Sequence, residues 1–471
     1  ANRRQLIMQF LGESVLISVI ALILSLGVTQ LLLPLFNSLS GKHLILDISQ
    51  SLFVIEILCI TIVVGLVSGS YPSFFLSSFT PNTVLQGKFR SGPTGALIRK
   101  GLVLVQFTVS GIFIIGTLVV NRQMNFIQNK NLGFDKERIL VIPLGDPRAR
   151  QIYLTCKQQL LEIPDVISVT AALTVPGGLI NNVIIEPEGR PEGEEVMIDQ
   201  ILVDHDFIST FRINLLKGRD FSLGFPADTM TAFIINESAV SYLGWDDQPF
   251  GKRIKIGDWK QGKVIGVVEN FHTKSLHQRI EPLLLHIATN PDSYHYFIIR
   301  IGERNIEKTI EVIEERWYRV YPQDPFVYSF LSQDFDSLYR HEELRGRIFT
   351  SFSFLAIFIA CLGLFGLASY TAEVRTKEIG IRKVFGATII SVILRLSREF
   401  TWLIVIANII AWPVAYFIMK NWLKNFAYRT GIPLWIYVLA YGISSVIALL
   451  TVSFQSFRAA GRNPADSLRY E

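Results

Sequence analysis

Six stretches of this 471-residue chain are apolar over about the twenty residues that a helix needs to cross a bilayer. They run at about 14–36, 52–70, 98–120, 347–371, 400–420 and 434–456. No other feature constrains the fold as strongly. A backbone in hydrocarbon has no water to bond to, so each stretch must close its own hydrogen bonds as a helix. The first is nearly free of charge from Ser14 to Phe36, and the fourth, IFTSFSFLAIFIACLGLFGLASY, has none. With 50% hydrophobic and 18% charged residues, the chain is too apolar for an ordinary soluble protein and too charged to lie wholly in a membrane. The expectation is an α-helical membrane bundle with a sizeable soluble part.

Basic residues orient the spans. Residues 71–100 hold Lys88, Arg90, Arg99 and Lys100 with no acid, and residues 372–399 hold Arg375, Lys377, Arg382, Lys383, Arg395 and Arg398. Both segments therefore face the cytoplasm. Arg3 and Arg4 put the N-terminal end on that side, and Arg458, Arg462 and Arg469 put the C-terminal end there too. Lys424 and Arg429, in the loop 421–433, disagree mildly by falling outside. The net charge of +5 follows from this bias and calls for no nucleic-acid partner. Cys59 and Cys361 sit in apolar spans and Cys156 stands alone, so no disulfide framework is expected. The histidines have no zinc-ligand spacing, and no metal is expected. The chain opens on Ala1 without Met or a signal-peptide pattern, which reads as a cut beginning.

The segment 121–346 is then extracytoplasmic and long enough to fold alone. Its pattern is mixed α/β. Strands are expected at 138–144, 166–174, 232–236, 262–268, 282–288, 296–301 and 326–331. Helices are expected at 147–163, 237–245 and 305–320. Two βαβ-like groups with a β-rich insertion is the coarse reading. Polar helical patterns at 121–130 and 333–346 would extend the neighbouring spans outward as a stalk.

The chain also repeats itself. Ala1, Ile7, Glu13, Val19, Ile20, Ala21 and Ile23 recur as Ala387, Ile393, Glu399, Val405, Ile406, Ala407 and Ile409. Further on, Ser70, Ser73, Phe74, Pro81 and Leu85 recur as Ser453, Ser456, Phe457, Pro464 and Leu468. The first copy lacks the equivalent of 97–386, so eight spans and two outer domains are expected of the native protein.

Between the fourth and fifth spans lies the run Lys377-Glu378-Ile379-Gly380-Ile381-Arg382-Lys383-Val384-Phe385-Gly386-Ala387. Ile381, Val384 and Phe385 share a helix face, Glu378 and Arg382 are spaced as i, i+4 partners, and Gly386 suits a helix stop. Such a helix fits docking onto a cytoplasmic partner, or else a juxtamembrane linker with snorkelling bases. The wording EIGIRKVFGA resembles the coupling segment of the MacB/FtsX-type (type VII, mechanotransmission) ABC transporter permeases. GFDKERILVIPL (133–144), INESAVSYLGWDDQPFGKRI (235–254) and GKVIGVVENFHTKSLHQRIEPLLL (262–285) resemble the MacB periplasmic core domain. RNPADSLRYE (462–471) and TPNTVLQGKF (80–89) resemble the closing NPxxxLR pattern, from which Thr80-Pro81 and Gln86 depart.

The resemblance implies a domain order. Residues 1–96 end a first FtsX-like repeat, 97–120 start the second, 121–346 form a MacB-like core with stalk, and 347–471 form a permease domain with coupling helix 376–386. It implies a permease subunit without catalytic, cofactor or metal residues, driven by a separate cytoplasmic ATPase dimer that holds ATP and magnesium. Glu378, Gly380, Ile381, Arg382, Lys383 and Gly386 would carry the coupling. The work would be export or extraction of a peptide, lipoprotein or antibiotic across a bacterial inner membrane, with a periplasmic adaptor or outer-membrane partner as a further possibility. The alternatives are a membrane sensor whose outer domain binds a ligand or a cell-wall hydrolase, and a membrane-anchored hydrolase. No cytoplasmic segment is large enough for an output domain, and no catalytic constellation stands out in 121–346.

Other residues invite a function. Gly257-Asp-Trp-Lys-Gln-Gly262-Lys263 matches most of a phosphate-binding loop, but Val264 replaces the hydroxyl residue and a strand follows, so it reads as a hairpin turn. Glu13 and Glu399 occupy equivalent places where a cytoplasmic helix enters the bilayer. They are either interfacial acids paired locally, with Arg3, Arg4, Arg395 and Arg398 nearby, or hinge contacts. Glu56 reads as structural, and Pro413 marks a kink or weak point in the fifth span. Asp204, Asp206, Asp334 and Asp336 invite a catalytic reading, but helix caps are the expectation. GRPEGEE (189–195) and FPADTM (225–230) read as exposed contact loops.

Overall fold

The computed structural model describes residues 3–76, 93–145, 150–191, 193–322, 324–375, 381, 385 and 388–460. The described elements begin with α1 (Arg3–Ser40), α2 (Ser51–Leu76), α3 (Pro93–Gln128), β1 (Ile139–Pro143), α4 (Tyr153–Leu161), β2 (Val166–Ala172), β3 (Asn181–Pro187) and β4 (Val196–Val203). Then come α5 (Phe207–Phe211), β5 (Leu215–Gly218), α6 (Asp228–Thr231), β6 (Ala232–Asn236), α7 (Glu237–Leu243), β7 (Arg253–Ile256), β8 (Lys260–Val268) and β9 (Leu283–Ile287). The last are β10 (Tyr296–Ile301), α8 (Ile306–Val320), β11 (Ser329–Phe330), α9 (Leu331–Ser337), α10 (Arg340–Val374), α11 (Ile389–Leu423) and α12 (Leu434–Ala460). The chain divides into two compact units. One comprises Ala1–Val120, Glu343–Ile418 and Ile432–Glu471, and the other Asn121–Glu342 and Met419–Gly431.

The first unit is helical. Among the described residues, six helices are long and apolar enough to span a membrane: α1, α2, α3, α10, α11 and α12. They coincide with the six stretches read from the sequence. Lipid tails are as apolar as leucine, so helices in a bilayer associate through close packing and small residues. α2 carries Gly65 and Gly69 one turn apart, facing α1. A β-carbon on Gly65 would stand 2.9 Å from the Val15 Cα, and one on Gly69 would stand 2.6 Å from the Ser14 Cβ. In α3, Gly111 faces Ala411 of α11 in the same way, at 3.2 Å. Val103 and Phe107 of α3, Leu364 of α10, Ile404 and Ala407 of α11, and Ala448 of α12 form the buried seam of this bundle.

The second unit is built on strands. At one end the order is β11-β1-β10-β2, with each neighbouring pair antiparallel. β1-α4-β2 and β10-α8-β11 are thus two split βαβ units, each straddling a strand of the other. The expected βαβ groups are present in this interleaved form. α4 and α8 cover the sheet through Tyr153, Leu160, Ile313 and Trp317. Trp317 is buried with its indole edge-on to Phe297 and its N–H given to the Asp324 carbonyl at 3.3 Å. Burial of a side chain of this size is worth about 3 kcal/mol or more.

The β-rich insertion between β2 and β10 closes on itself. β4 pairs β3, β3 pairs β7, β7 pairs β8, β8 pairs β6, β6 pairs β9, and β9 returns to β4 in parallel. Ile198, Phe233, Ile254, Val264 and Leu284 share its core. The hairpin between β7 and β8 turns at Gly257, whose φ of +49° lies in the left-handed region. The phosphate-loop-like run is therefore a β-turn leading into a strand.

Two expectations change. The strand expected at 326–331 is only Ser329–Phe330, because Leu331 begins α9 and is buried there with Phe335 one turn on. β3, β4, β5 and β7 add strands that the sequence reading leaves out.

Candidate functional site

The coupling run lies almost wholly outside the described residues, and Glu378, Gly380, Arg382, Lys383 and Gly386 are among those not described. Of its members, Ile381 and Phe385 are described. The Phe385 N–H donates to the Ile381 carbonyl at 3.1 Å, one helical turn. Both side chains are exposed, Phe385 at 86%.

A charged node stands next to that run. Arg375 Nη2 lies 2.5 Å from Glu399 Oε1, and Lys100 Nζ lies 3.5 Å from Glu399 Oε2. The partners of Glu399 thus come from α3 and from the residue just past α10. The expectation of Arg398 as a pairing neighbour gives way to these residues, since tertiary packing brings them to the carboxylate. Arg99 lies over the Tyr370 ring at 4.3 Å, a second contact between α3 and α10 at this level. Glu13, the repeat-equivalent of Glu399, accepts from Gln9 Nε2 at 3.3 Å in an exposed setting. Pro413 lies inside the unbroken helix α11 and removes one backbone donor there.

In the second unit, the loop between α11 and α12 is held by residues from two other segments. Gln123 of α3 is fully buried. Its Nε2 donates to the Tyr428 carbonyl at 2.9 Å, and its Oε1 accepts from Thr430 N at 2.9 Å and Thr430 Oγ1 at 3.1 Å. A single carboxamide thereby satisfies both directions of an irregular backbone. The Ala427 N–H donates to the His277 carbonyl at 3.2 Å, and the His277 ring stacks on Phe426 at 4.3 Å. His272 meets Tyr428 edge-on at 4.8 Å, and the Leu276 N–H donates to the Tyr339 hydroxyl oxygen at 2.7 Å. Burial and the nearby Lys130 hold the His272 imidazole down at about 4, so it is neutral at physiological pH. Sequence reading marks 421–433 as a polar loop and gives no sign of this docking. The signal it contains is the aromatic pair Phe426 and Tyr428 among polar neighbours.

The four aspartates are ion-paired or hydrogen-bonded. Asp204 is buried and pairs with Lys157, which also holds Asp206 at 2.6 Å. Asp206 occupies the cap position of α5 but makes no side-chain cap bond, because its carboxylate is committed to Lys157. Asp334 accepts from Ser329 Oγ at 2.5 Å, and Asp336 takes Lys136 at 2.6 Å. Both lie within α9, so the capping expectation fails for them as well. Among the described residues, no cluster of three or more histidine, cysteine or acidic side chains could hold a metal ion.

Comparison with known proteins bears on these features. Residues 350–464 match the FtsX-like permease C-terminal family. No curated protein matches the chain. Among solved structures, the chain is similar to the periplasmic region of MacB from Actinobacillus actinomycetemcomitans, at 13% identity and a TM-score of 0.33, over 45% of this chain and 97% of that one. It is also similar to the extracellular domain of the noncanonic ABC-type transporter YknZ from Gram-positive bacteria, at 13% identity and a TM-score of 0.30, over 41% of this chain and 97% of that one. A third likeness is a domain of a permease protein from Porphyromonas gingivalis, at 16% identity and a TM-score of 0.27, over 40% of this chain and 86% of that one. The FtsX-like match covers the stretch that holds the last three membrane helices, and the α/β unit precedes that stretch in the chain.

Proposed function

We propose that this chain is the membrane subunit through which a cytoplasmic ATPase dimer does mechanical work on the extracytoplasmic α/β unit. The segment 376–386 is the docking helix, with Glu378, Ile381, Arg382 and Lys383 at the contact and Gly380 and Gly386 shaping it. ATP and magnesium belong to the partner. The setting is a bacterial inner membrane, with the ends of this sequence cytoplasmic and residues 121–346 outside. The cargo is a peptide, lipoprotein or antibiotic that is exported or extracted, with or without an adaptor or outer-membrane partner.

One observation carries the reading. The polypeptide passes between the two units at four points, and three of these fall inside helices, α3, α10 and α11. A helix transmits displacement where a loop would absorb it. The node at Glu399 adds a reason for α3, α10 and α11 to respond together near the docking segment, since it joins side chains from all three regions.

The test is co-purification from native membranes in mild detergent. An ATPase subunit is expected to accompany the wild type and to be lost from the Glu378→Ala/Arg382→Ala variant. Equal recovery with both proteins would remove the docking helix from the reading.

A further inference from the structure

An open groove of about 450 Å³ lies on the β-rich insertion. One wall is the outward face of β8, where Lys263 and Ile265 alternate with buried neighbours. The other is the segment 225–232, including Phe225 and Ala227. The walls meet closely because Gly262 has no side chain. A β-carbon there would stand 2.2 Å from the Thr231 carbonyl oxygen.

The charges in the groove are unbalanced. Arg219 is fully matched, giving two bonds to Asp228 at 2.6 and 2.7 Å and covering the Phe225 ring at 4.3 Å. Asp228 is the only acid lining the groove among the described residues, and Arg219 consumes its charge. Arg253 and Lys263 are directly opposite on the antiparallel strands β7 and β8. Like charges in that position repel and cost stability. Glu188 meets Arg253 through Nε at 3.3 Å but also serves Lys252 at 3.4 Å, and no described acid meets Lys263. The next base on this face, Lys255, shows the contrast, since it has both Glu186 at 3.2 Å and Asp258 at 3.3 Å.

We propose that this groove binds a small anion with an apolar body, its carboxylate between Arg253 and Lys263 and its apolar part against Phe225 and Ile265. A carboxylate there would relieve the cross-strand repulsion and take paired donors from the guanidinium. The volume falls within the usual range of small-molecule clefts, about 300–1,000 Å³. A short acyl chain and the C-terminal end of an apolar peptide both present this chemistry. The site does not depend on the ATPase partner.

The test uses the full chain in nanodiscs of zwitterionic lipid, titrated calorimetrically with octanoate and with N-acetyl-leucyl-phenylalanine. Their uncharged counterparts, octanamide and the peptide amide, are the controls. At least one acid should bind ten-fold or more tightly than its amide, and the tighter of the two acids identifies the source. Arg253→Gln/Lys263→Gln should lose that preference, while Lys217→Gln, an exposed lysine outside the groove, should keep it. Because removing Lys263 relieves repulsion, Lys263→Gln should melt no lower than wild type, which separates lost binding from lost fold. Equal binding of acid and amide, no binding of either acid at millimolar concentration, or an unchanged preference in the double variant would overturn the proposal.

Discussion

The side chains of the outer unit show what its buried charges do. Lys157 and Asp204 have little access to water, and each holds the other charged. Lys157, with His205, keeps the Asp204 carboxyl below its usual range against the pull of burial, and Asp204 with Asp206 raises the Lys157 ammonium. The signs set a window. Asp204 stabilises the fold above its unfolded value near 3.8, and this is lost as pH falls through its lower folded value. Lys157 stabilises below 10.5, and this is lost as pH rises through its higher folded value. Lys157→Met leaves the Asp204 charge stranded and should cost about 3–5 kcal/mol, read by denaturant unfolding followed through tryptophan fluorescence. Lys157→Met/Asp204→Leu should recover a large part of that, and failure to do so would show that the pair does more than neutralise itself. Asp220 behaves oppositely. Burial, with Asp206 and Asp228 nearby, raises its carboxyl to about 6, so it destabilises the fold increasingly as pH climbs from about 4 past 6. Asp220→Asn keeps an acceptor for the Phe221 N–H and should melt higher than wild type at pH 7.5 but equally at pH 4.

At the scale of elements, legibility follows how long and how apolar each segment is. The six spans were readable because twenty apolar residues in a row have few alternatives in water or lipid. β6 and β9 are buried throughout and read as short apolar runs. β3 is fully buried only at Ile185 and Pro187, and its Asn-Asn start hides a strand that its partners β4 and β7 define. The aspartate capping expectation failed at Asp206 for a related reason, because a cap is local and the lysine that overrides it comes from another helix. Gly65 and Gly69 make a close helix contact that the sequence reading leaves out, although their four-residue spacing is the kind that permits one. Gly69→Leu should force α1 and α2 apart and lower thermal stability in detergent by the equivalent of about 1–3 kcal/mol. An unchanged melting curve would mean that the two helices part without loss. Gln123→Leu tests the docked loop. It leaves the Thr430 N–H and the Tyr428 carbonyl without their described partner, so amide exchange across 424–431 should quicken at least ten-fold while β1 and β10 stay protected.

The whole molecule poses a question of transmission that can be answered without knowing the cargo. The first unit is a helical bundle and the second is a strand-built body, and α3, α10 and α11 each carry residues of both. If work passes along helices, what matters is their continuity and not only their presence. Inserting Gly-Gly-Ser after Val120 interrupts α3 where its residues change from one unit to the other. Glycine disfavours the helix by about 1 kcal/mol per residue, and the added length breaks the register of the turns on either side. On the proposed function the docking segment 376–386 is untouched, so a partner ATPase should still bind and hydrolyse ATP. Amide exchange in 139–143 and 296–301 reports whether the outer fold survives. In wild type with its ATPase, replacing ADP with a non-hydrolysable ATP analogue should alter exchange at 424–431 and 272–277. In the insertion variant that nucleotide-dependent difference should shrink by half or more. A full response with α3 interrupted would mean that α10 and α11 carry the motion by themselves. Loss of ATPase binding would instead place part of the docking surface on α3, alongside Lys100 and its contact with Glu399.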